Sequence, residues 1–349
     1  MTRCRPSAAL PVEPAVAPDR LIEIAFAFRK SKAFLSAVEL GLFTALSDGP
    51  LDHDVLVERL GLHGRGARDL FDALVALGLL DRGADGRYAN PPDCAAYLDA
   101  RKPTFIGDLF EYLNARMYGT WGLLTPALRS GKPQSGPSAA GGFAGFYADQ
   151  PTAEIFLKGM TGGSRLAARA LAAGFPWESY ATFIDIGTAQ GCVPVEIARR
   201  HAHLTGGGFD LPSLGSAFTR HVREHGLAAR LRFHAGDFFR DPLPRADVVI
   251  MGRVLHDWDV ATRKLLLGKA YAALPTDGVL IIHDTLIDEE RRTHPHSLLA
   301  SLNMLIQTDG GSEYTGKECT GWLHEIGFTQ TRIMPLTGTQ TAIIAIKGR

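Results

Sequence analysis

Residues 179–349 predict an α/β fold, a doubly wound parallel sheet, behind a mostly helical N-terminal region. Three observations carry this. After Phe175 short apolar runs alternate with helical segments, the pattern of strands buried on both faces. Residues 51–90 read as helix, turn, helix and hairpin. One glycine-bearing turn, "FIDIGTAQG", joins the first apolar run to a helix.

Taken from the N-terminus, residues 1–18 are proline- and arginine-rich among small residues and are expected to be a disordered tail. Residues 19–102 form the first domain. Leu21, Ile24, Phe28, Phe34, Leu35, Val38, Leu42 and Leu46 recur at helical spacing, and residues 20–48 carry more apolar side chains than one face needs. Such a surplus predicts a homodimer. The following winged-helix outline, with its hairpin turning at Asp85-Gly86, also admits a DNA-binding regulator. Its second helix, however, pairs Arg65 and Arg68 with Asp69, Asp72 and an apolar stripe of Leu70, Phe71, Leu74 and Leu77. Residues 103–178 read as helices broken by a flexible loop over 129–142. Phe143, Phe146, Phe156 and Met160 flank that loop and are candidates for holding an apolar substrate.

Lys plus Arg equals Asp plus Glu, 37 each, so no global field favours nucleic acid or anionic membrane. The four cysteines show no metal-ligand spacing, no apolar run reaches membrane-spanning length, and Pro11, Glu13, Pro14 and Pro18 interrupt any signal-peptide core. A cytoplasmic protein without a metal site is the expectation.

In an open parallel sheet, ligands collect beyond the carboxyl ends of the strands. Those ends carry Asp185 with Gly187, then Asp210, Asp237 with Phe238, Arg253 to Asp257, and Asp284. So many carboxylates repel a pyrophosphate, and the turn "GTAQG" lacks the third glycine of a dinucleotide fingerprint. They suit a cationic, hydroxyl-rich ligand. Asp210, about 20 residues past the glycine turn, stands where a carboxylate accepts ribose hydroxyls. Asp237 and Phe238 suit an adenine, while Gly187 and Gly191 let the backbone approach an amino-acid moiety. Adenosine joined to a charged amino acid is S-adenosylmethionine (SAM).

At "DIGTAQG", "FDLP", "GDFFRDPLP", "RVLHDWD" and "SLNMLIQTDGGSEYT" the chain resembles the class I small-molecule O-methyltransferases, from about Arg20 to its end. The resemblance implies a winged-helix dimerisation domain, a helical substrate lid and a Rossmann-like SAM-binding domain over 179–349. It implies His256 as general base, oriented by Asp284 and Glu313. It adds Leu211, Arg253 and Trp258 to the cofactor contacts, and Asn303 and Met304 to the substrate-facing positions. Asp257 is open between capping a helix and touching substrate. The chain departs from the family where Thr188, Ala189 and Gln190 replace glycines of the first turn. A phenol needs its proton taken before it attacks, and an unperturbed histidine, near 6.5, is a neutral base at pH 7. The expected reaction is O-methylation of a small aromatic hydroxyl. N- or C-methylation and a non-methylating relative are the alternatives.

Overall fold

The computed structural model describes residues 17–348. Residues 1–16 of the expected tail, Cys4 among them, lie outside the described residues. The chain divides into two compact units, one ending at Asp99 and the other beginning at Ala100.

In the first unit the helix Asp19–Glu39 buries Leu35, Ala37 and Val38 while Leu21, Ile24 and Phe28 are exposed. Helices His53–Arg59 and Gly64–Ala76 lead into β1 (Asp81–Arg82) and β2 (Tyr88–Ala89), which pair antiparallel. Gly86 makes the hairpin turn at φ +81°, where a side chain is strained. Ala67, Phe71 and Leu74 form the buried stripe of the second helix. Leu77, expected to continue that stripe, is its exposed C-cap, because the helix stops at Ala76.

The second unit holds β3 (Thr182–Ile186), β4 (Thr205–Asp210), β5 (Leu231–Ala235), β6 (Val248–Gly252), β7 (Val279–Thr285), β8 (Phe328–Thr337) and β9 (Gln340–Lys347). They lie in the order β5-β4-β3-β6-β7-β9-β8, with β9 antiparallel to both its neighbours and every other pair parallel. Strand order reverses between β3 and β6, and that switch point opens a crevice at their carboxyl ends. β6 and β7 are apolar runs because both sheet faces are covered. Ile250 and Ile281 pack with Leu171, Val195 and Phe218 on one side, Val249 and Leu280 with Leu266 and Leu323 on the other. Truncating Ile250 to alanine here is worth about 2–5 kcal/mol.

Helix termini are set locally. Asp259 caps Val260–Ala273 by accepting from Thr262 N–H at 2.8 Å, and Thr315 with Glu318 forms a capping box on Gly316–Ile326. The helix Gln150–Gly174 sends Ala168, Leu171 and Ala172 into the sheet core, so the helices of 103–178 share one unit with the sheet. The 129–142 segment is not a free loop. It contains a short helix, Gly136–Ala139, and the N–H groups of Gln134 and Ser135 both donate to Ile306 O, at 2.8 and 3.1 Å.

Candidate active site

The carboxyl ends of β3 to β6 surround a cavity of about 440 Å³. Asp185, Asp210, Asp237 and Asp257 all line it, beside Phe238, Phe239 and Trp258. Gly187 brings the chain close, at φ +71°; a Cβ there would meet Val254 Cγ2 at 2.6 Å. Asp210 is held from behind, its two oxygens accepting the N–H groups of Ala189 and Leu211, each at 2.8 Å. Burial nevertheless pushes its carboxyl up to about 6, and that of Asp185 to about 7, because no cation nearby compensates them. Asp237 is already partly engaged, accepting from Phe239 N–H at 2.9 Å with Arg240 at 3.6 Å.

Leu211, Arg253, Trp258, Phe143, Phe156 and Met160 also line this cavity. Arg253 adopts φ +55°, unusual without glycine, and its N–H donates to His283 O. Four of the expected cofactor and substrate residues do not line the cavity. Gly191 caps the helix Cys192–Arg200 at φ +85°, and a Cβ there would meet the Phe218 ring. Phe146 is buried behind the wall, edge-on to Phe156 at 5.1 Å. Met304 is a core residue of the helix Pro295–Gln307, and Asn303 on the same helix does not reach the cavity.

The Thr188 substitution in the first turn is accommodated by the neighbouring strand. A Cβ on Gly208 of β4 would meet Thr188 Cγ2 at 2.2 Å, so glycine on β4 supplies the space that the turn gave up. Gln190 finds another use, accepting from Thr161 Oγ1 at 2.9 Å and so docking the Gln150–Gly174 helix on the turn.

His256 lies in the short turn Leu255–Asp257 after β6, 7% exposed. Its Nδ1 shares a hydrogen with Glu313 Oε1 at 2.8 Å, while Asp284 Oδ1 is 3.9 Å away. The shorter aspartate side chain does not reach. Its other oxygen instead accepts from Tyr314. His256 does not itself line the cavity; Asp257 does, and its Oδ1 is 3.7 Å from Nε2. Asp257 therefore caps nothing and joins the two sites.

Burial alone lowers the proton affinity of His256. The charges of Glu313, Asp257 and Asp284, with the Glu313 hydrogen bond, outweigh it and raise the imidazole from 6.5 to about 10. The ordinary value of 6.5 assumed from sequence therefore does not apply: the three acids around the ring favour its protonated form. Burial pushes Asp284 up to about 7.

Alternation along β7 sets which of its last side chains faces the cavity. Successive strand side chains point to opposite faces, so Asp284 turns to His256 and away from the cavity. His283 takes its place on the cavity wall, fitting over Gly252, whose added Cβ would come within 2.0 Å of His283 Nε2. Both ring nitrogens lack a partner, and burial pushes this histidine down to about 4. His283, Phe239 and Tyr147, which line the cavity, and Tyr314, which donates to Asp284, are among the site residues that sequence reasoning missed. The polar pair in "IIHDTL", on an otherwise apolar strand, was the signal for the first. Among the described residues no group of three His, Cys, Asp or Glu side chains is placed to hold a metal ion. Nor is any described helix long and apolar enough to cross a membrane.

A sheet with a switch-point cleft of carboxylates and a buried histidine beside it defines a methyltransferase-type α/β protein, and comparison with known proteins agrees. Residues 121–329 match the O-methyltransferase domain family and residues 22–100 the O-methyltransferase dimerisation domain; the chain belongs to the O-methyltransferase family. It is 42% identical over 332 residues to the tetracenomycin polyketide synthesis 8-O-methyl transferase TcmO of Streptomyces glaucescens, covering 95% of this chain and 97% of that protein. It is 37% identical over 320 residues to the N,N-dimethyltransferase OxyT of Streptomyces rimosus, with 91% and 92% covered. Among solved structures, human N-acetylserotonin methyltransferase in complex with SAM superposes with a TM-score of 0.87 at 28% identity, over 97% of this chain and 100% of that one.

Proposed function

We propose that this O-methyltransferase methylates a hydroxyl of a small aromatic, polyketide-like metabolite, with His256 as the proton acceptor. Its cofactor is S-adenosylmethionine, which supplies an electrophilic methyl group on a sulfonium. The donor set fits that molecule: Asp210 is available to ribose hydroxyls, Phe238 and Trp258 to a flat base, and the uncompensated Asp185 to positive charge. The relatives' names point to the acceptor class, since TcmO acts in polyketide synthesis.

The observation that carries the reading is the His256 cluster. Glu313 fixes Nδ1, leaving Nε2 on the side of the cavity-lining Asp257. An imidazole raised to about 10 is a strong base only after it has lost its own proton. That proton must leave from Nε2, whose neighbouring carboxylate is Asp257 at 3.7 Å, while Nδ1–H stays on Glu313; positive charge in the cavity favours the neutral ring. His256 Nε2 then takes the acceptor's hydroxyl proton as the oxygen attacks. The decisive experiment is incubation with SAM and a panel of polycyclic phenols, with product analysis for wild type and His256→Gln. Tight SAM binding without any methylated phenol overturns the reading. An N-methylated amine as the better product instead supports the alternative that the 37% identity to OxyT raises.

The matched dimerisation domain supports a homodimer. Leu21, Ile24 and Phe28, at 62%, 61% and 55% exposure on one helix, supply the apolar surface for it. A monomer by light scattering excludes it.

A further inference from the structure

Behind the His256–Glu313 pair lies a cation that proton transfer does not use. Arg263, on the first turns of Val260–Ala273, is 2% exposed, a setting in which an arginine is costly unless its donors are met. Nε and Nη2 are met by oxygens of Leu255 and Ser312. Nε donates to Leu255 O at 2.9 Å, and Nη2 to Ser312 O at 2.5 Å and Ser312 Oγ at 3.0 Å. Leu255 immediately precedes His256, and Ser312 immediately precedes Glu313. Ser312 N–H in turn donates to His256 O at 2.9 Å. The guanidinium carbon lies 4.9 Å from the Tyr314 ring centre and 5.4 Å from that of Trp322, and Tyr314 donates its hydroxyl to Asp284.

We propose that Arg263 is a positioning residue for the methyl transfer, clamping the two segments that carry His256 and Glu313 so that Nδ1 stays on the carboxylate. The inference rests on the reading of His256 as proton acceptor. Two segments 57 residues apart in sequence must meet within 2.8 Å, and neither is a regular element with its own ladder. A planar fork reaches two carbonyls at once; a lysine ammonium on a flexible stem does not hold both. The ring faces of Tyr314 and Trp322 stabilise the charge without competing for the carbonyls. The same ring therefore steadies Arg263 with its face and Asp284 with its hydroxyl.

The test compares Arg263→Lys, Arg263→Gln and His256→Gln with wild type. It reads thermal melting, SAM affinity by calorimetry, turnover on a hydroxynaphthoate probe, and the His256 titration by ¹⁵N NMR. Glu313, Asp257 and Asp284 are the charges that set that titration. In folded Arg263→Lys, kcat should fall about 10–100-fold, the scale of a misplacement near 1 Å. SAM affinity and acceptor KM should stay within about twofold, with the His256 midpoint lowered as Glu313 drifts away. A folded variant with wild-type kcat and an unmoved midpoint overturns the proposal. Parallel loss of melting temperature, SAM affinity and kcat also overturns it, since that marks a structural residue alone. Should Arg263→Lys not fold, Arg263→Gln, too short to hold both carbonyls, takes its place: a lowered midpoint with SAM affinity kept supports the clamp and an unmoved one refutes it. Undiminished turnover in His256→Gln defeats the reading beneath the proposal, and the positioning role with it. Loss of turnover there with no effect of Arg263 defeats the proposal alone.

Discussion

Asp185 and Asp210 face a cavity from the ends of β3 and β4, whereas Asp284 and Glu313 close on a single imidazole. Both pairs are acids at low solvent exposure or on a cleft wall, yet they meet different fates. In the cleft, burial raises the carboxyls and nothing positive relieves them. Burial raises Asp284 in the same way, but Asp284 and Glu313 face a histidine and raise its proton affinity. A carboxylate without its counter-ion is a binding site in waiting, while one with a fixed partner sets the protonation state of that partner. Asp257 stands on the border, lining the cavity and lying 3.7 Å from His256 Nε2.

The largest effect that separates the two regions comes from His256→Gln. Turnover should fall about 10²–10⁴-fold, the usual contribution of a general base, with SAM affinity nearly unchanged. Parallel rates and calorimetry check this; a matching loss of affinity would merge the two regions into one. Asp210→Ala should do the opposite, weakening SAM binding by about 1.5–3 kcal/mol, as for a lost hydrogen bond to a charged group. Unchanged affinity by calorimetry removes Asp210 from the donor site.

pH sharpens the contrast further. Asp210, raised to about 6, accepts ribose hydroxyls when ionised, so SAM affinity should weaken as pH falls through about 6, by at most about tenfold per pH unit. The His256 cluster acts on stability with the opposite sense. A histidine at 6.5 unfolded and about 10 folded contributes stability that is fully present below 6.5 and lost as pH rises through about 10. Thermal melts between pH 7 and 10 should show this alkaline loss in wild type and a flatter profile in His256→Gln. The smallest effect is expected from Met304→Leu, a volume-conserving core change costing less than about 1.5 kcal/mol with KM unaltered. A specific change in KM would return Met304 to the substrate wall.

The sequence by itself determined the sheet, because strands buried on both faces must be apolar runs, and it determined where ligands gather, because strand ends at a switch point are the open edge of such a sheet. Asp185, Gly187, Asp210 and Asp237 were legible for that reason, each standing at or just past the end of its run. Tertiary structure alone decided which neighbour at a strand end faces the ligand. His283 and Asp284 are adjacent letters, and only the set of the β7 pleat in the sheet turns one to the cavity and the other to His256. It also decided the proton affinity of His256, since a pKa depends on groups brought within 4 Å from Asp284 and Glu313, far along the chain. Arg263 was invisible for the same reason: on a helix it reads as a surface charge, and the carbonyls that it holds become its neighbours only when the Ser312 segment folds back over Leu255.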